Sequence, residues 1–296
     1  MKSTLRIFFF LTSFCFPAAF TAQNEDYHIP SDVSDTLYHV QKLDGTGFIG
    51  EILVDNDEEV VIKTKELGKV KIPKYLIEKV EPIDLNNVRF SKGKLVSDDF
   101  APRYFYTNSS QSLKKEQGSL LWNWWGVEMQ YGVSDKFDVG LTTTWLGTPV
   151  GLNAKYSFDI APDVTAALGS RVYSGGWAFI SSGVVYPFGS ITVGDKHTHL
   201  TGHAGFITAY GPQSSGERAW VFGLAGKAAI TAKVDAVVEI FSLPVINTFD
   251  PVYLILPAIR INNDYQKAFQ IGFAGLVSGN EALPIPVPFF QVMRSF

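Results

Sequence analysis

Past residue 22 the chain has no cysteine: the only one among its 296 residues, Cys15, lies in the apolar leader. Disulfides, thiolate metal sites and cysteine nucleophiles are therefore excluded from the rest of the protein. Long apolar runs are also missing. The longest after the leader, VYLILPAI at 252–259, has eight residues and contains a proline, far short of the roughly 20 that a membrane-crossing helix needs. Charge is sparse, at 18% of residues, and no stretch is basic enough to suggest a nucleic-acid partner. Tryptophan is absent from residues 23–100, which carry 16 acids against 10 bases; residues 101–296 hold 13 of each, 21 of the 26 glycines and all six tryptophans. A small acidic unit of net charge 10 − 16 = −6 thus precedes a larger, neutral, aromatic and glycine-rich one.

The first 22 residues read as an export signal. Lys2 and Arg6 precede an apolar run from Ile7 to Phe20, followed by small residues that include Ala22, after which cleavage is expected. Bulky Phe14 before Cys15 argues against lipid attachment there. Residues 36–83 alternate in short β-prone runs, LYHVQKL, GFIGEILV, EVVIKTK and KVKIP, punctuated by Asp44-Gly45 and the acidic turn Asp55-Asn56-Asp57. The pattern resembles a small SH3-like or Sm-like β-domain. Gly45-x-Gly47-x-x-Gly50 lies within a hairpin and opens no helix, so it reads as turn chemistry rather than a dinucleotide fingerprint. Residues 84–100 read as a linker.

What fills residues 101–296 is period-2 alternation in runs of about 10–14 residues separated by Gly, Pro, Asn, Asp and Ser. Phe137, Val139, Leu141, Thr143 and Trp145 alternate with Asp138, Gly140, Thr142 and Thr144; Leu152, Ala154, Tyr156 and Phe158 alternate with Asn153, Lys155 and Ser157. A transmembrane barrel requires an apolar residue at every second position of its lipid face. Twelve strands are expected, near 102–109, 119–132, 137–146, 150–160, 164–173, 176–189, 197–210, 218–231, 234–246, 252–262, 267–278 and 286–296. With the small domain periplasmic, the turns SDKFD, APDV, TAKVD and NNDYQK fall on the periplasmic side and Ser109–Gly118 outside. The fold class is all-β, an antiparallel transmembrane barrel after a small β-domain.

The strand-like ending FFQVMRSF suits an outer-membrane barrel, and SLKKEQG at 112–118, Asn123 and the hairpin YGVSDKFDVG at 131–140 are similar to poorly characterised outer-membrane barrel proteins of the Bacteroidota type. The resemblance implies location and architecture rather than a substrate: the outer membrane, lipid as surroundings, and Phe296 as the terminal aromatic through which the barrel-insertion machinery takes the C-terminal strand. Strand parity turns Glu128, Lys155, Arg171, Lys227, Glu239 and Arg260 into the lumen. Such charges either pair and fill a narrow barrel or line a solute path, and four bases against two acids would bias the path toward anions. His197, His199 and His203 fall on one expected strand face, a weak metal candidate without a second-strand ligand. No cofactor is implied, and no His-x-Ser-Asn-Gly motif marks a barrel lipase. The expected role is a narrow channel or transport-related barrel, not an enzyme; the alternative is an anchor for an adaptor domain at 36–83 with an unknown periplasmic partner, and a lipid-modifying barrel enzyme ranks third.

Overall fold

The computed structural model describes residues 37–44, 46–65, 67–83, 88–91, 94–97, 99–175, 180–212, 214, 216, 218–243, 252–264, 266–278, 281–282 and 287–296. The export signal at 1–22 and Gly45 lie outside them. The chain divides into two compact units, residues 1–86 and 87–296.

In the first unit β1 (Leu37–Lys42), β2 (Gly47–Asp55), β3 (Glu59–Thr64), β4 (Gly68–Pro73) and β5 (Ile77–Ile83) form one antiparallel sheet in the order β4-β3-β2-β1-β5, with a single 3-10 turn, Lys74–Leu76, before β5. Its core is Val40, Val60, Ile62 and Ile72, the inward residues of half-buried strands. At the β1–β2 turn Asp44 accepts from Lys42 Nζ and the Thr46 N–H; these bonds, the lysine's first, hold its carboxyl at about 2, below the ordinary carboxylate range. Ile62→Ala should destabilise this unit by about 2–5 kcal/mol, the usual cost of such a truncation in a packed core. Limited proteolysis should then cut within 37–83 while the barrel keeps its heat-modifiable migration.

The second unit begins with a hairpin, β6 (Val88–Ser91) and β7 (Lys94–Ser97), so the stretch expected as a plain linker is partly paired. Its short β-prone runs, VRF and KLV, suffice for one two-stranded ladder. The wall of the barrel starts only at β8 (Gly118–Asn123). It continues through β9 (Gly126–Ser134), β10 (Phe137–Thr144), β11 (Val150–Ala161), β12 (Val164–Ser174), β13 (Gly183–Gly194), β14 (His199–Tyr210), β15 (Arg218–Ala229), β16 (Val234–Leu243), β17 (Val252–Asp264) and β18 (Lys267–Ser278). After the two-residue β19 (Glu281–Ala282), β20 (Val287–Ser295) returns between β18 and β8 and closes the ring. The ring has twelve strands, every neighbour antiparallel, and the pairing of β20 with β8 joins its last strand to its first.

The expected number of strands is met, but two placements that make it up are corrected. Residues 102–109 are not wall: Tyr104-Phe105-Tyr106 is a contiguous aromatic run without a polar face, and it lies inside the ring. Residues 119–132 are two strands, because Asn123 pairs with Gly126 across the two-residue turn Trp124-Trp125; its aromatics hid the turn. A third strand is shifted, running over Gly183–Gly194 instead of 176–189. The first correction also moves Ser109–Gly118: the Lys115 N–H donates to Asp135 and Gln117 O accepts from Gly132, which places this segment at the short-turn end of the barrel.

The seam depends on a close approach. Gly118 and Phe296 exchange both backbone hydrogen bonds, at 2.8 and 3.0 Å, and a Cβ on Gly118 would lie 2.2 Å from the Phe296 ring. Gly118→Val should therefore loosen barrel closure, read as a lower temperature for loss of the compact band on a denaturing gel.

Outside, the wall is apolar: Leu152, Leu168, Ile191, Phe222, Ile259 and Phe273 are all exposed, alternating with inward residues. A closed ladder under an apolar belt is the construction of a membrane-spanning barrel. Leu168→Arg, near the middle of β12, should destabilise the inserted barrel by about 2–4 kcal/mol, measurable as a lower urea midpoint for its unfolding from vesicles.

Candidate functional site: a plugged lumen

All six charges placed in the lumen by parity point inward. Glu128, Lys155, Arg171, Lys227, Glu239 and Arg260 are each at most 5% exposed. They do not line an open path among the described residues, because residues 99–113 occupy the lumen and bind five of them; Lys227 instead donates to Lys196 O at 2.8 Å.

This segment enters and leaves at the short-turn end. Asp99 accepts from Ser295 Oγ at 2.6 Å, and Phe100 packs on Leu121, Ala268 and Met293. At the other end of the segment the Leu113 N–H donates to Asp138. Irregular backbone at membrane depth is tolerated only where protein groups satisfy it, and here the luminal side chains do so. Glu239 accepts from three consecutive amides, Phe105 at 3.0 Å, Tyr106 at 2.7 Å and Thr107 at 2.8 Å, and from the Thr107 hydroxyl at 2.6 Å. Arg260 donates to the carbonyls of Phe100 at 2.7 Å and of Arg103 and Tyr104, while its Nε is held by Gln270 at 3.0 Å. Lys155 donates to Ser109 O and Gln111 O and pairs with Asp138 at 3.3 Å. Arg171 donates to Tyr106 O and lies over the Tyr106 ring, 5.2 Å from its centroid.

Three charged partners were not singled out from sequence. Arg103, on the plug, makes a two-pronged pair with Glu128, both contacts 2.6 Å; its assignment to a wall strand concealed it. Asp138 and Asp235 were legible by parity, since each shares its strand's inward face; Asp235 lies 3.9 Å from Lys227. The luminal set described is then five bases and four acids, so the surplus that would bias a path toward anions shrinks from two charges to one.

The histidines do not converge. His197 sits in the turn before β14, where Asp195 accepts from its amide, whereas His199 and His203 face inward from β14 and are buried. The His199 ring tilts against Tyr104 at 5.4 Å, and His203 is the cross-strand neighbour of Ser190. Among the described residues there is no group of three metal-ligating side chains. Ser190 Oγ is 2.8 Å from Ser110 Oγ on the plug, and the Ser110 N–H donates to Thr192; these hydroxyls seat the segment.

The lumen also holds an apolar cluster. Tyr104 and Phe105 of the plug pack with Tyr186, Val221, Val237, Phe241, Leu256 and Phe289 from the wall. Phe105 meets Phe289 at 3.6 Å and the edge of Trp125 at 5.2 Å.

No family model matches the chain, and no curated protein matches it. Six solved chains do. One described as a KdgM porin has a TM-score of 0.43 at 7% identity, over 61% of this chain and 98% of that one. Another, described as outer-membrane expressed OmpT of Vibrio cholerae, has a TM-score of 0.35 at 12% identity, over 88% of this chain and 94% of that one.

Proposed function

We propose that the protein is a transport-related outer-membrane barrel held shut by its own residues 99–113, with the small acidic domain on the periplasmic side. The observation that carries this reading is the pair of buried side chains Glu239 and Arg260, one gripping amides and the other carbonyls of the same segment. A solute path opens only when the segment moves. The wild-type protein in planar bilayers should be nearly silent, and replacing 99–113 by a Gly/Ser segment of equal length should give steady conductance. Silence after that replacement would speak against transport.

A second reading, an anchor whose working part is the small domain, is favoured by that domain's own surface. Leu43, Leu67 and Tyr75 are each about two thirds or more exposed. The strand order β4-β3-β2-β1-β5 with a 3-10 turn before the last strand supports the SH3-like or Sm-like reading, and large exposed apolar side chains suit a protein partner. Neither reading calls on catalysis; the Ser190 hydroxyl, cross-strand from His203, is bonded to the plug. The phenylalanine at 296 serves recognition by the insertion machinery, and the leader directs export. The sequence likeness to Bacteroidota-type barrels belongs with this reading.

A further inference from the structure

We infer that the loop-side half of the lumen is a binding cup for a single-chain amphiphile, whose acyl tail enters from the surrounding bilayer through a notch above the β8–β9 hairpin. The inference rests on the plug-closed reading, since the tip of the plug forms the floor of the cup.

The floor is wet. Tyr106, at the turning point of the plug, is 42% exposed although it lies inside the ring, and its hydroxyl is 3.3 Å from that of Tyr173. The walls differ in character. On one side Thr142 of β10, Asn153 of β11 and Tyr173 of β12 point inward and are half-buried; on the other Phe188, Ile207, Leu254 and Ala274, on β13, β14, β17 and β18, are half-buried and pack on the apolar cluster. A water-filled pore gains nothing from an aliphatic wall, whereas burying a hydrocarbon chain there contributes about 0.8 kcal/mol per methylene. The facing hydroxyls and amide can hold a polar head. A sugar fits less well, because the apolar wall offers it no hydrogen-bonding side chain.

The notch follows from strand lengths. β8 has six residues and pairs with β20 only from Gln291 to Ser295, while β20 pairs with β18 from Val287 to Arg294. Val287–Phe290 therefore stand above the tip of β8 with one edge unpaired by it, and Pro288 there has no amide to leave unsatisfied. Trp124, Trp125 and Trp145 sit at this low rim, with the Trp145 amide bonded to Trp125 O. Trp124 and Trp145 are more than half exposed, as interfacial tryptophans are. Trp125 leads inward to Phe105 and Phe289, so the apolar cluster meets the bilayer at the level of its interface.

The test uses the full-length protein in phosphatidylcholine vesicles doped with a lysophospholipid that carries a diazirine in its acyl chain. After irradiation, labelling of the plug peptide containing Tyr106 reports the cup, and labelling at Phe222 and Phe273 reports the outer belt. The Tyr106 peptide should be labelled in the wild-type protein, and Leu254→Asp and Ile207→Asp should each lower that label about tenfold, the effect of roughly 1.4 kcal/mol, with the belt label unchanged. Both variants are first checked for heat-modifiable migration, and either one suffices. A wild-type protein labelled only on the belt, or a Tyr106 label unchanged in a folded variant, would overturn the inference. The readout needs the plug in place and no conductance, so it fails or succeeds apart from the bilayer recordings.

Discussion

Glu239→Ala should turn a silent barrel into a conducting one. The carboxylate is the common acceptor of the amides of Phe105, Tyr106 and Thr107, and among the described residues no other luminal side chain takes them. Removing it leaves two buried donors, the amides of Phe105 and Thr107, and the part-buried amide of Tyr106, each buried one left unsatisfied costing about 1–3 kcal/mol. A loss of roughly 2–6 kcal/mol from the two buried amides would exceed what a short segment without a sheet ladder of its own can absorb in place. The tip of the plug should therefore leave the lumen for most of the time. The check is bilayer conductance together with protease cleavage between 99 and 113, which should rise together; Glu239→Gln, keeping one acceptor oxygen, should fall between the two. A variant that stays silent and uncut would show that the other contacts hold the segment without this one.

The Arg103–Glu128 pair gives the second large effect, with a different signature. Both side chains are nearly inaccessible and the pairing is two-pronged. Among the described residues, Arg103→Met leaves the carboxylate of Glu128 with Gln130 Nε2 as donor, and Glu128→Leu leaves a guanidinium with Asn108 and Phe105 O. Breaking a buried pair from one side costs about 3–5 kcal/mol, while replacing both partners by apolar groups of similar volume is often close to neutral. Each single variant should lower the urea midpoint strongly, and Arg103→Met/Glu128→Leu should recover most of it. Additive losses in the double variant would mean that the two residues act through separate neighbours.

Parity made the wall legible. One apolar residue in two is a requirement that lipid imposes, so the inward set, including Lys155 and Arg260, could be assigned from spacing alone. The plug was not legible because nothing in its local pattern distinguishes an aromatic segment packed inside a ring from an aromatic strand in the ring. What fixes Arg103, Tyr104 and Phe105 there is contact with Glu128, Thr201 and Phe289, residues that lie 25, 97 and 184 positions away in the chain. The Trp124-Trp125 turn was missed for a related reason: turn signals rest on Gly, Asn and Asp chemistry in water, and a turn at a bilayer interface can be built from tryptophan. Since one error added a crossing and the other removed one, the strand count survived while the side of the membrane assigned to Ser109–Gly118 did not.

That both ends of residues 99–113 lie at the same mouth of the barrel has a topological consequence. The segment is a loop pushed into a ring, not a thread passed through it. Its two ends never lie on opposite sides of the closed wall, so it can be inserted after β8 and β20 have joined and withdrawn without parting them. No strand need unpair and no knot is made or undone. Opening and resealing are therefore separable from folding, and the ring can remain intact through any number of such cycles.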